Sequence, residues 1–207
     1  MRTYYFQIAS ILLLVLSIIA FSDNLITDVG QESNSDPKFI IHGLLMFAWF
    51  ILFVIQANFI RKRNYIAHMK WGVAGFVIAI LVVLSTVYII SEAYDGGWSA
   101  LKYFEKAILL FIPSFAVLIL LGYLNRKKGN RHKRFIYMGT LLILEPILDR
   151  VATNLHIGNN VLFVILVWNG LFISLFVYDL LTIKKIHKIS WMGYLWFYVV
   201  WTISFLT

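Results

Sequence analysis

The chain has 207 residues, of which 61% are hydrophobic and only 14% are charged, with a mean hydropathy of +0.82. Soluble globular domains carry about a quarter of charged residues, so this composition excludes a disordered soluble chain and favours an integral membrane protein. The absence of cysteine excludes a disulfide scaffold, a Cys-ligated zinc site and an iron–sulfur cluster.

Seven apolar runs follow one another along the chain, each close to the ~20 residues that cross a hydrocarbon layer ~30 Å thick. Because an α-helix satisfies its own backbone hydrogen bonds without water, these runs predict an all-α integral membrane bundle of seven transmembrane helices. We expect a single domain over residues 1–207. The predicted spans are Tyr4–Phe21, Phe39–Ile60, Trp71–Ser91, Ala107–Leu124, Phe135–Leu155, Val161–Ile183 and Trp191–Leu206.

Basic residues set the predicted orientation, because Lys and Arg accumulate in cytoplasmic loops. They concentrate in three connections, 61–70, 126–134 and 184–188, whereas most acids lie in the alternate connections 22–38 and 92–105. We therefore expect a cytoplasmic N-terminus and an outside C-terminus. The net charge of +8 reflects this asymmetry and an attraction to anionic lipid heads, rather than binding to nucleic acid. Asp179, near the inner end of the sixth span, is expected to meet Lys184 or Lys185.

The histidines are the candidate ligands for a cofactor or a metal ion. His68, His132 and His187 lie at the predicted cytoplasmic ends of helices, and His42 lies just inside the outer end of the second span. Neutral imidazole binds haem iron, and neighbouring cations suit haem propionates, so the four histidines are candidates for binding haem b. His68, His132 and His187 are also candidates for zinc, with one position left open for water. The alternative is that these are ordinary interface histidines in basic loops.

A second group of candidates lies in the fifth span, which carries Glu145, Asp149 and Arg150. Ionisable groups at that depth cost at least about 2.5–3.5 kcal/mol each, so we expect them to face the bundle interior and to find partners. Glu145 and Asp149 share one helix face, Arg150 can neutralise one of them, and Asn169 can join from the same outer half. Pro146 is expected to kink the helix. This buried polar cluster predicts either a structural ion pair or a site for proton relay or a polar ligand.

Several short motifs also occur in a fixed order along the chain. The motifs are His42-Gly43 with Met46 and Trp49, His68 to Gly72, His132-Lys133-Arg134, Tyr178-Asp179-Leu180-Leu181-Thr182 and His187. This order resembles a bacterial family of multipass membrane proteins with no established function. The resemblance covers most of the chain from His42 to His187. It implies a bacterial inner membrane and adds no reaction, cofactor or substrate.

The sequence contains no phosphate-binding loop, no nucleophile elbow and no metalloprotease helix motif. It therefore predicts an integral inner-membrane protein that is a non-catalytic component or accessory subunit of a membrane complex. The expected partners are the lipid bilayer and other membrane subunits. A b-type haem protein in electron transfer or haem handling is the first alternative, and a zinc-dependent membrane hydrolase is the second. Enzymatic activity is left open.

Overall fold

The computed structural model describes residues 4–27, 30, 32–93 and 96–207. In these residues the chain forms α-helices joined by short turns, and no strand. The α-helices are α1 Tyr5–Ala20, α2 Pro37–Arg61, α3 Tyr65–Ala93, α4 Tyr103–Leu124, α5 Gly129–Leu142, α6 Glu145–Asn154, α7 Asn160–Ile183 and α8 Lys188–Leu206. A π-helical turn, Asp23–Thr27, follows α1.

Five of these helices, α2, α3, α4, α7 and α8, are long and apolar enough to cross a membrane. The prediction of an all-helical chain is thus confirmed, and the helices are compatible with an integral membrane protein. Seven spans and the orientation of the termini are not confirmed. The first predicted span forms α1, whose 16 residues extend about 24 Å, less than the thickness of the hydrocarbon layer.

The fifth predicted span is two helices rather than one, because Pro146 interrupts it. Proline has no N–H to donate to the carbonyl four residues earlier, and its ring clashes with that carbonyl. The carbonyl in question belongs to Leu142, the residue at which α5 ends. Residues 141–144 around the break are buried, and the indole Nε1 of Trp168 donates a hydrogen bond of 2.7 Å to the Leu141 carbonyl. An interrupted helix is tolerated at membrane depth when protein groups cover its freed backbone in this way.

The helices group into two compact units, and the first contains residues 1–89 and 146–164. In this unit α1 packs on α2, with the rings of Phe21 and Phe47 5.9 Å apart. The amide Nδ2 of Asn154 donates to the carbonyls of Ile19 (3.0 Å) and Ala20 (3.2 Å). These carbonyls belong to the last turn of α1, and the Ile19 carbonyl also accepts from the Ser22 hydroxyl at 2.9 Å, so Asn154 of α6 helps to cap α1.

The second unit contains residues 90–145 and 165–207. Trp168 lies at its aromatic centre, with ring centroids 4.7 Å from Phe197 and 5.8 Å from Phe111. Small residues let α4 and α5 approach closely: a Cβ atom added at Gly139 would lie 3.3 Å from the Cβ of Leu118. The prediction of one domain over residues 1–207 stays a prediction.

Contacts at one end of the second unit show which connections lie together. Trp98 donates through Nε1 to the Thr207 hydroxyl at 3.0 Å, and Tyr103 stacks on Phe205 at 4.5 Å. The start of α4 therefore lies beside the end of α8, and the two helices are antiparallel. It follows that the basic connections 125–128 and 184–187 lie at the other end of this unit. This basic end carries the candidate site.

Replacement of Trp168 by Phe tests the role of the indole at the helix break. The ring stays apolar and largely buried, but the Leu141 carbonyl loses its donor, so we expect the free energy of unfolding to fall by about 1–3 kcal/mol. Thermal unfolding in detergent measures the loss. Trp191→Phe is the matched control, since Trp191 is 45% exposed. Equal losses in both variants would contradict a role for the indole hydrogen bond.

Candidate functional site

A buried ion pair between Arg134 and Asp179 is the centre of the basic end. Arg134 lies in the second turn of α5, and Asp179 lies about one turn before the end of α7; both side chains are 0% exposed. The Nε atom of Arg134 donates to Oδ1 of Asp179 at 2.9 Å, and Nη2 contacts the same oxygen. The Nη1 atom donates to the Asn130 carbonyl at 2.6 Å. The guanidinium is thus engaged on all three nitrogens.

The other carboxylate oxygen of Asp179 binds the start of α8. Oδ2 accepts hydrogen bonds from the backbone N–H of His187 (2.9 Å) and from the Ser190 hydroxyl (2.6 Å). A buried charge is tolerated only when it is paired and its remaining lone pairs are satisfied. Asp179 meets both conditions, and in doing so it joins α5, α7 and the start of α8.

The expectation that Asp179 meets Lys184 or Lys185 is wrong, because both lysines are exposed and the ion pair of Asp179 is with Arg134. Lys184 and Lys185 follow the end of α7 at Ile183, whereas Asp179 lies on the face of α7 that contacts α5. The sequence also placed Arg134 in a loop, since the predicted span began at Phe135. Helix α5 begins at Gly129, which puts Arg134 inside the helix.

Lys133 and Tyr178 form a second, half-buried contact beside the ion pair. The Nζ atom of Lys133 donates to the Tyr178 hydroxyl at 2.8 Å and lies 5.0 Å from the centroid of its ring. The guanidinium carbon of Arg134 lies 5.9 Å from the same ring. Tyr178 therefore positions one cation and shields another, as aromatic rings do for ammonium and guanidinium groups.

His132 and His187, both at the basic end, are used at helix termini. The Nδ1 atom of His132 lies 2.8 Å from the Gly122 carbonyl, and because a carbonyl only accepts, Nδ1 carries the proton. His187 is the N-cap of α8: its Nδ1 accepts from the N–H of Ile189 at 3.1 Å, so the proton of the neutral ring is on Nε2. Each imidazole thus satisfies a backbone group that a helix end leaves without a partner.

Burial lowers the pKa of His187 below its usual value of 6.5. The positive charge of Arg134 lowers it further, as do those of Arg131 and Lys133, whereas Asp179 acts in the opposite direction. The imidazole is therefore held neutral near pH 7, in surroundings with excess positive charge.

The other two candidate histidines belong to the first unit. His42 lies in α2, where its Nδ1 is 3.0 Å from the Ser85 hydroxyl, which donates in turn to the Val82 carbonyl at 3.0 Å. The imidazole Nδ1 therefore donates to Ser85, and the contact ties α2 to α3. His68 lies half-buried in the first turn of α3, and its backbone N–H donates to the Asn64 carbonyl at 3.1 Å.

No group of three or more His, Asp or Glu side chains that could hold a metal ion occurs among the described residues. The zinc site at His68, His132 and His187 therefore gains no support and stays a prediction. The same is true of haem b at these histidines and His42. In the structure the rings of His132 and His187 each bind a backbone group at a helix end. Such a role also agrees with the alternative that these are ordinary interface histidines.

The residues of the predicted polar cluster lie apart from one another and have different partners. Arg150 lies in the first unit, where Nη1 is 3.1 Å from Oδ1 of Asn24 and 3.9 Å from Oδ2 of Asp23. The partner of Arg150 is thus the turn after α1. Its neighbour Asp149 is exposed, since adjacent residues of a helix do not face each other. Glu145 is half-buried in the first turn of α6, where a carboxylate suits the helix dipole.

Asn169 has different partners in the second unit. Its Oδ1 accepts from the hydroxyls of Tyr194 (2.6 Å) and Tyr198 (2.7 Å), and its Nδ2 donates to the Ile165 carbonyl at 2.8 Å. Sequence reasoning missed both tyrosines and Ser190. Tyr194 and Tyr198 are four residues apart on α8, which is the one signal that they share a face.

No protein-family model, curated protein or solved structure matches the chain. The resemblance to a bacterial membrane family therefore stays a prediction, and the function is argued from the geometry of the molecule.

The Arg134→Met variant leaves the Asp179 carboxylate buried without its cation. We expect the free energy of unfolding to fall by about 3–5 kcal/mol, as for other buried pairs that lose one partner. The double variant with Asp179→Leu removes both charges and should recover part of the loss. Thermal unfolding in detergent compares them, with Lys127→Met on the exposed connection as control. A single variant as stable as the control would contradict the structural role of the pair.

Lowering the pH should destabilise the fold through His187. Since its pKa is lower in the folded state than in the unfolded state, the unfolded chain binds more protons, and stability falls as pH drops through about 6.5. His187→Asn keeps an N-cap acceptor for Ile189 but does not titrate. The difference in melting temperature between about pH 7.5 and about pH 5 should therefore be smaller in the variant than in the wild type. Identical pH profiles would refute the prediction.

Proposed function

We propose that this chain is a non-catalytic, accessory subunit of a complex in the bacterial cytoplasmic membrane, with its basic connections on the cytoplasmic side. One observation carries the proposal: a polar patch lies on the outer surface of the second unit, near the middle of α7 and α8. The patch consists of Asn169, Tyr194 and Tyr198, whose side chains are joined by the hydrogen bonds described above.

The patch supports a partner helix because it is exposed at a depth where lipid offers no hydrogen bonds. Tyr198 is 44% exposed, and Asn169 and Tyr194 are partly exposed. Phenol hydroxyls and an amide in contact with hydrocarbon are unfavourable unless protein groups cover them. A transmembrane helix of another subunit would cover them and add hydrogen bonds between helices.

Gly170 gives such a helix a place to approach. It is exposed next to Asn169 in α7, about 100° around the helix from it, and a Cβ atom added there would meet nothing within 4 Å. Small residues at a helix surface let two backbones come close, which is how membrane helices associate without a hydrophobic driving force. The ionisable pair of the same unit supports a structural role too, since Arg134 and Asp179 bind each other, the backbone and the Ser190 hydroxyl.

Site-specific cross-linking tests the proposal, because the chain has no cysteine of its own. A single Gly170→Cys substitution in native membranes, labelled with a thiol-reactive benzophenone that inserts into C–H bonds on illumination, should give one product of defined mass that contains a second polypeptide. Gly72→Cys is the matched control, since Gly72 also has open space around it on a helix.

Three outcomes of this experiment contradict the proposal. Gly170→Cys and Gly72→Cys would give the same products if the contacts were random. Gly170→Cys would give no product if this face met lipid alone. A product of twice the chain's own mass would make the face a self-association surface instead of a subunit interface.

A further inference from the structure

The basic end of the second unit carries more positive charge than its acidic residues neutralise. Between residues 125–144 and 178–195 the sequence has one acid, Asp179, and the buried pair commits it to Arg134. The cations that remain around His187 are Arg131, Lys133, Lys184, Lys185 and Lys188. Arg134 of α5 and the backbone N–H of His187 at the start of α8 bind the same Asp179 carboxylate, so α5 and the start of α8 share one positively charged region.

Two polar groups in this region are held in place. Lys133 is fixed by the hydroxyl and ring of Tyr178. His187 is fixed as the N-cap of α8, which leaves Nε2 as the N–H donor of its neutral ring. Groups that are already ordered lose less conformational entropy when they bind a ligand. An anion at this end would therefore meet positioned donors as well as exposed lysines.

Apolar side chains continue from these cations along the outside of the bundle. Ile186 in the connection is exposed, and so are Trp191, Met192 and Leu195 in the first turns of α8. Tryptophan is typical of the interface between lipid heads and hydrocarbon, so Trp191 places the cations at the level of lipid phosphates. A ligand that fits both features carries an anionic head and long apolar chains.

We infer that the basic end binds one anionic phospholipid, with its phosphate held among Lys133, His187, Lys185 and Lys188. The acyl chains lie against Trp191, Met192 and Leu195. Charge complementarity favours an anionic head over a zwitterionic one, because one end of the unit carries an uncompensated cluster of cations. The inference uses only the second unit and does not depend on the partner subunit proposed above.

Native mass spectrometry of the full chain in an uncharged detergent tests the inference. Phosphatidylglycerol should bind with a stoichiometry of one, at least about tenfold more tightly than phosphatidylcholine of the same chain length. Replacing Lys185 and Lys188 by Gln should weaken binding by about 25-fold, since each lysine near the surface contributes about fivefold. Both lysines are exposed, so the variant should fold. Lys133→Gln, a half-buried position, is a second, independent variant.

The control makes the same charge change elsewhere. Lys62→Gln with Lys70→Gln removes two exposed lysines from the first unit, one in the connection after α2 and one in the second turn of α3, and should leave the affinity unchanged. Equal weakening in the two double variants would overturn the inference in favour of bulk attraction. Equal binding of phosphatidylcholine would also overturn it.

Two further probes separate the lipid from other anions. Inorganic phosphate and glycerol 3-phosphate carry the head chemistry without acyl chains and should not displace phosphatidylglycerol at equal concentration. A single-stranded RNA should not displace it either. Displacement by any of these would overturn the assignment of a lipid, because the apolar side chains of α8 would then contribute nothing to binding.

Discussion

The ion pair between Arg134 and Asp179 is the constraint on which the second unit depends. Its two charges lie out of contact with solvent, where pairing alone does not offset the loss of hydration. The carboxylate therefore collects four donor groups from α5 and from the start of α8, and the guanidinium adds a carbonyl of its own helix. Because these partners come from several helices, satisfying one charge fixes the relative positions of α5, α7 and α8.

The surroundings of this pair explain why its neighbours resemble a ligand set in the sequence. His132 and His187 occur at helix ends within basic connections, which is where membrane proteins concentrate cations and where metal ligands also occur. In the structure His132 serves the last turn of α4 and His187 the first turn of α8. A helix terminus needs a polar side chain for its own backbone, and histidine supplies either a donor or an acceptor according to its tautomer.

The sequence predicts the helical class well, because the length and polarity of each apolar run are local properties. The sequence predicts the helix boundaries less well, because a single residue can determine where a helix ends. The sequence predicts that Pro146 kinks one helix, whereas it separates α5 from α6, and the buried Leu141 carbonyl at the break accepts a hydrogen bond from Trp168. The predicted span begins at Phe135, whereas α5 begins at Gly129, because the first turns of this helix are as basic as a cytoplasmic loop.

The partners of the candidate polar residues are the hardest part to predict from sequence. Arg150 binds Asn24, 126 positions earlier, and no local pattern connects the two. The same is true of Asn169 with Tyr194 and of Arg134 with Asp179, which meet only after helices distant in sequence have packed. Periodicity tells which side chains share a helix face, but the choice among possible partners on other helices is made by the tertiary structure.

The order of Arg134 and Asp179 along the chain determines the order in which the partners of the buried pair are synthesised. Arg134 is translated first, so its guanidinium is already present when Asp179 is synthesised as part of α7. Ser190 and the amide of His187 emerge later, with α8. The carboxylate of Asp179 can thus pair with Arg134 of α5 as soon as α7 has been synthesised, and its two remaining partners become available only with α8.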